Sequence, residues 1–199
     1  LLWWFGIHGP NVMSAVTTPF MTKMMATNLE LYQSGEGVTS AGVFYSAGSQ
    51  YNIISGPFGA GWFSPTGSGI TMGLIIAVML FSKRDDFKAI AKLAIPCGIF
   101  NINEPIIFGI PMVMNAMFAV PFFLAPIACV CCGYLVQSLG LCPLFIIDVP
   151  WTTPVGLFGF LASSGNIMGA IWQAVIILGV STLIYTPFVI AANRQEAEA

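Results

Sequence analysis

Residues 100–115 read FNINEPIIFGIPMVMN, and they hold the side chains of this chain best suited to grip a polar ligand. Glu104 is the only formal charge between Lys92 and Asp148, and Asn101 and Asn103 precede it. A charged side chain at mid-bilayer costs about 2.5–3.5 kcal/mol on insertion scales, so it persists where it is paired, protonated or facing a polar cavity. No Lys or Arg lies between Lys92 and Arg194 to pair with it locally. Asn offers donors and an acceptor, and a carboxylate accepts twice. Together they form a hydrogen-bonding set suited to a neutral, hydroxyl-rich ligand. A simpler account makes Glu104 a solvated residue on an interfacial loop.

Other candidates are weaker taken singly. His8 is the only histidine, set in WFGIHGP between Gly6 and Gly9. Neutral imidazole donates and accepts, and glycines let a ligand approach the backbone. A histidine at a helix kink explains it equally simply. The stretch SPTGSGITMGL (64–74) is a Gly/Ser turn opening a helix; it lacks the lysine of a phosphate-binding loop. Its N–H groups, around Ser68, can line a polar site. In DVPWTTPVG (148–156), Asp148, Trp151, Thr152 and Thr153 fit an interfacial anchor in the aromatic belt. Trp151 and Thr152 equally fit contact with a ring-shaped ligand. No Ser-His-Asp set, catalytic carboxylate pair or metal-binding cluster can be assembled. No catalytic residue, metal or cofactor is expected of this chain.

The elements that position these residues are membrane elements. Of 199 residues 57% are hydrophobic and only 7% charged, against about 25% charged in soluble domains. The net charge of −2 and the lack of a basic patch exclude a nucleic-acid partner. Cys97, Cys129, Cys131, Cys132 and Cys142 form no CxxC pair and read as small apolar residues in membrane helices. The start, LLWWFGIHG, has neither a basic n-region nor a small-residue cleavage site, so it is not a secretory signal. The chain reads as part of a longer protein, cut within a membrane segment.

Measured against a span of about 20 residues, apolar stretches run over 1–28, 41–58, 69–82, 93–113, 116–139, 143–164 and 167–191. Lys83, Arg84, Lys88 and Lys92 cluster in one loop, which is therefore cytoplasmic by the positive-inside rule. Arg194 puts the C-terminus on the same side, so residues 93–191 cross an even number of times. Four spans satisfy this, as do two full spans, 116–139 and 167–191, with two re-entrant hairpins. Breaks at Pro96, Pro105 and Pro111, and at Pro143, Pro150 and Pro154, favour hairpins. Paired broken segments usually border a substrate site.

GIFNINEPIIFGIPMVMN resembles the signature of enzyme IIC of the lactose/cellobiose (diacetylchitobiose) type of sugar phosphotransferase system. WWFGIHGPNV, TGSGITMGL, VPWTTPVGLFGFLAS and IYTPF resemble further blocks of that family, in family order from residue 1 to about 190. The resemblance departs at Asn115-Ala116, where Asn-Pro is usual. It implies an all-α, polytopic helical bundle with two re-entrant hairpins. Residues 1–199 would be a single partial domain, the C-terminal substrate-binding half, without the N-terminal helices through which the family dimerises. It implies a disaccharide ligand, carried across the bacterial cytoplasmic membrane and phosphorylated by a phosphocysteine on a separate cytoplasmic B component. It places Glu104 and His8 in contact with the sugar and Asn101 and Asn103 around them, with Gly9, Ser68, Trp151 and Thr152 as lesser contacts. No bond chemistry is expected of this chain alone. An ion-coupled sugar transporter with Glu104 as proton carrier, and an inactive fragment or scaffold, stand as alternatives.

Overall fold

The computed structural model describes residues 7, 9–40, 42–110, 112 and 115–197, and its architecture is helical. Helix α1 runs over Gly9–Gln33, α2 over Gly56–Trp62, α3 over Met72–Phe81, α4 over Asp85–Ile99 and α5 over Glu104–Gly109. Then follow α6 (Ala116–Ser138), α7 (Leu157–Ala162) and α8 (Ile167–Ala174). A π-helical turn, Val175–Val180, joins α8 to α9 (Ser181–Ala197). Among the described residues the one pair of strands is a short hairpin of two-residue strands, β1 (Val38–Thr39) against β2 (Gly42–Val43), with Val38 opposite Val43.

Among the described residues two rods are long and apolar enough to cross a bilayer: Ala116–Ser138, of 23 residues, and Ile167–Asn193, of 27. They coincide with the two full spans read from hydropathy. Helix α6 begins cleanly because Asn115 is extended and its side chain accepts from Met117 N–H at 3.0 Å, an N-cap. Ala116 in place of the usual proline therefore leaves this helix start intact. Pro121 and Pro126 lie inside α6, where neighbouring helices can satisfy the groups a proline frees. The Cys129 thiol sits 3.7 Å from the Ile176 carbonyl in the π turn, linking the rods. All five cysteines are free.

The rods run through two apolar cores. One is built from α3, α4, α5, α9 and the start of α6, around Leu74, Ile106, Ile107, Phe118 and Tyr185. The other gathers α2, α7, the π turn and residues 142–149 around Trp62, Phe145 and Phe158. Trp62 and Phe145 stack with ring centroids 5.2 Å apart. Gly133 on α6 makes room for this stack: a Cβ there would run into the Trp62 ring.

Helices α3 and α9 lie side by side and run the same way. Near their starts the Tyr185 hydroxyl donates to the Gly69 carbonyl at 2.8 Å, and a Cβ on Gly73 would lie 2.6 Å from Ser181 backbone. At their ends the Asn193 side-chain oxygen accepts from Lys83 N–H at 2.8 Å, and its side-chain nitrogen donates to the Phe81 carbonyl at 3.0 Å. The charged loop and the end of α9 thus share one end of the molecule. In that loop Asp85 and Asp86 occupy the first turn of α4, where the helix dipole favours them. Arg84 grips Asp86 with two hydrogen bonds, at 3.1 and 2.5 Å, which hold that carboxyl below its usual range.

The apolar stretch 41–58 does not form a span. Residues 44–55 are non-helical, and their backbone is held by distant parts of the chain. Leu144 N–H donates to the Val43 carbonyl at 2.8 Å, and the buried Asn28 amide brackets Asn52 through both its N–H and its carbonyl. The stretches 93–113 and 143–164 are broken, though not at every proline: Pro96, expected to break the first, lies inside α4, Pro105 falls in the first turn of α5, and Pro111 lies outside the described residues. The first folds as α4, a turn at 100–103 and the short α5; the second is non-helical, with turns at 151–156, before α7.

Candidate functional site

The turn between α4 and α5 closes α4 with a Schellman motif. Ile102 N–H reaches back to the Cys97 carbonyl at 3.0 Å, and Asn101 N–H to the Gly98 carbonyl at 3.1 Å. Such a motif requires a left-handed residue at its apex, and Asn101 supplies it with φ +66°. Asparagine tolerates this conformation better than most residues, because its short side chain bonds locally.

Here the amide does more than bond locally. Its oxygen accepts from Thr66 N–H at 2.6 Å, in the Gly/Ser turn. Its nitrogen donates to the carbonyls of Trp151 and Thr153, the latter at 2.9 Å. Asn103 adds a second tie, donating to the Ser68 carbonyl at 2.7 Å. Three segments that looked unrelated along the chain, 64–71, 100–104 and 151–153, therefore meet at two asparagine side chains.

The 64–71 turn needs these ties. Thr66 and Ile70 both have positive φ, +59° and +52°, and both are β-branched and fully buried. For such residues this region is a true outlier, costing on the order of 1–3 kcal/mol each unless the surroundings over-determine it. The surroundings do so. Thr66 is held by Asn101, by its own hydroxyl accepting from Met72 N–H at 3.2 Å, and by the Thr71 hydroxyl on its carbonyl at 3.1 Å. Between them Gly67, at φ +83°, leaves the space in which the Asn103 side chain packs; a Cβ would lie 2.6 Å from its amide nitrogen.

Glu104 stands apart from the asparagines that precede it. It opens α5 with its side chain exposed, whereas Asn101 and Asn103 are 8% and 4% exposed. The expected single set pointing into one pocket is thus divided: the amides turn inward onto main chain, and the carboxylate turns outward. Trp151, on the loop that Asn101 holds, is also exposed, at 64%. Thr152, next in the chain, and Ser68 are half-buried, and Gly9 is the half-buried first residue of α1. His8 lies outside the described residues. Among the described residues no cluster of metal-ligating side chains occurs.

A groove of about 500 Å³ opens next to this junction, with Thr66 and Pro154 on its edge. Its other walls are Met72, Ile75, Ile76, Ile95 and Ile99 among further apolar residues. It offers a hydroxyl-rich ligand almost no partners, and Glu104 is not among its lining residues.

Residues that hold this arrangement without reading as functional include Tyr185, Thr66 and Gln173. The Gln173 side chain, fully buried, accepts from Gly156 and Gly159 N–H at 2.9 and 2.8 Å and donates to the Gly61 carbonyl at 3.0 Å. It thereby binds the start of α7 to α2 and α8. Only one sequence signal pointed to such residues, a polar side chain inside an apolar run.

The family model described as phosphotransferase system, EIIC matches residues 1–126. The chain is similar to the cellobiose-specific EIIC component of Lactococcus lactis subsp. lactis, 37% identical over 211 residues, covering 98% of this chain and 41% of that protein. It is similar to the lactose-specific EIICB component of Staphylococcus aureus, 33% identical, covering 94% of this chain and 31% of that protein. Among solved structures it is similar to the transporter ChbC, the IIC component from the N,N'-diacetylchitobiose-specific phosphotransferase system. That likeness has a TM-score of 0.85 at 33% identity and covers 98% of this chain and 42% of that one. The chain spans about two fifths of the length of the EIIC relatives it matches.

Proposed function

Because the chain belongs to the phosphotransferase system EIIC family, we propose that it is the sugar-binding transport domain of a permease for a β-linked disaccharide. The relatives named for cellobiose, lichenan, oligo-beta-mannoside and lactose share the β-linkage as their common chemistry. The observation that carries the proposal is the junction at Asn101, which brings the Gly/Ser turn and the Trp-Thr-Thr loop to the turn bearing Glu104.

In this reading the exposed Glu104 carboxylate accepts hydrogen bonds from sugar hydroxyls, and charge-assisted bonds of this kind are the strong ones. The Trp151 indole offers an apolar face to a sugar ring, with Thr152 and Ser68 at the edge. His8 completes the site from the start of α1, beside Gly9. Helices α4 and α5, before the first full span, and the non-helical 143–156 segment with α7, before the second, enter the membrane as two re-entrant hairpins. The chain crosses several times, with loop 83–92 and the end of α9 in the cytoplasm. A phosphocysteine on a B component then phosphorylates the delivered sugar; the relative named EIICB carries that component's letter in its own name. Residues 1–199 act as one substrate domain, and dimerisation belongs to the part of the longer relatives that this chain does not span.

The test is a thermal-shift screen of the purified chain against cellobiose, diacetylchitobiose, lactose and glucose. A ligand held only by the folded state, at about 100 times its dissociation constant, adds about 2.7 kcal/mol of apparent stability. At least one β-disaccharide should raise the melting temperature more than glucose does. Equal response to all four sugars, or to none, would overturn the reading. In cells, uptake should require the B component and yield sugar phosphate; unmodified sugar driven by a proton gradient would point to ion coupling instead.

A further inference from the structure

We propose that Asn101 is the positioning residue of the sugar site. It fixes the Trp151–Thr153 loop and the 64–71 turn relative to Glu104, and so sets the preference for a two-ring over a one-ring sugar. The inference rests on the sugar-site reading above and adds to it a residue that acts without touching the ligand.

The backbone supplies the first part of the argument. At the apex of a Schellman motif, with φ +66°, glycine is the residue of lowest conformational cost. Asparagine there offers what glycine lacks, an amide. Both of its N–H donors go to the Trp151 and Thr153 carbonyls, and its oxygen accepts from Thr66 N–H. With two donors and two acceptor lone pairs in all, and 8% exposure, the side chain has little left for a ligand. Its influence passes through the elements it holds.

The geometry of those elements supplies the second part. Glu104 follows Asn101 by three residues, so their Cα atoms are at most about 11 Å apart. The exposed Trp151 indole sits on the loop whose carbonyl Asn101 grips. Asn101 thus lies three residues from the carboxylate in the same turn and is the hydrogen-bonded anchor of the loop that carries the indole. Fixing the two at a set separation helps only a ligand that engages both. A single ring resting at one end gains little from that fixing, while a disaccharide loses the advantage of a preformed span when the loop moves.

Two substitutions separate the ties. Asn101→Asp keeps an oxygen facing Thr66 N–H but places a second oxygen against the Trp151 and Thr153 carbonyls. Asn101→Gly keeps the left-handed backbone and removes every side-chain tie. Titration calorimetry on the purified chain in detergent, with cellobiose and with glucose, gives the affinity ratio for each. The ratio is a property of folded molecules, so a smaller folded fraction does not shift it; were Asn101→Gly not to fold, Asn101→Asp decides. We expect the cellobiose-to-glucose affinity ratio to fall about tenfold in both, the loss of roughly one to two net hydrogen bonds. An unchanged ratio, including one in which both sugars weaken together, would overturn the positioning role. Glu104→Gln run alongside distinguishes the two layers. If it weakens sugar binding while the Asn101 ratio holds, only the positioning role fails. If it leaves both affinities unchanged, the sugar site itself is misplaced.

Discussion

At the scale of single residues, this site is made by buried polar side chains that bond to main chain rather than to each other. Tyr185 shows what one such bond contributes. Its hydroxyl is fully buried and donates to the Gly69 carbonyl, the third tie on the 64–71 turn beside Asn101 and Asn103. Tyr185→Phe removes the donor and leaves that carbonyl unsatisfied, and should lower stability by about 1–3 kcal/mol with helix content unchanged; denaturant unfolding followed by circular dichroism checks both. Substitution of the α6 cap, Asn115→Ala, should cost about 1 kcal/mol in the same assay. In the sequence, Asn101, Asn103 and Glu104 are legible as polar residues that an apolar segment must have a reason to hold. Their division of labour is not legible there. An amide binds a ligand or a carbonyl with the same groups, and only the reversal of the chain after α4 turns the amides inward and the carboxylate outward.

At the scale of elements, close approach of helices depends on small residues at particular points. Gly73 lets α3 lie against the Ser181 backbone, where a Cβ has no room. Gly73→Ala must push α3 away from α9 and should cost about 1–3 kcal/mol, the usual range for overpacking, seen as a lower denaturant midpoint. Because the shift also strains the tie from Tyr185 to Gly69, combining Gly73→Ala with Tyr185→Phe should cost less than the two changes summed. The two long spans could be read from the sequence almost to their ends, since twenty apolar residues admit few other solutions. The stretch 41–58 could not. It is apolar enough for a span, but its backbone pairs with Val43's partner Leu144 and with Asn28, and such long-range pairing leaves no local periodicity.

At the scale of the whole molecule, the two rods α6 and α8–α9 tie an α3–α4–α5 core to an α2–α7 core, and the candidate site lies where segments from the two sides meet. Asn193 joins the end of α9 to the charged segment at 83–92, so the proposed orientation puts both on the cytoplasmic side. In a background without the five native cysteines, Lys88→Cys and Gln195→Cys should both react with a membrane-impermeant thiol reagent from the cytoplasmic face only. Labelling from opposite faces would contradict the topology. The central claim is that the turn bearing Glu104 is where a β-disaccharide is held, and Glu104→Gln tests it most directly. This change keeps the shape of an exposed side chain and removes its charge, so the fold should persist, with an unchanged melting temperature in the absence of sugar. Titration with the disaccharide that binds the unsubstituted protein most tightly should show affinity reduced at least about tenfold, the equivalent of one charge-assisted hydrogen bond. Undiminished affinity in the folded variant would contradict the account.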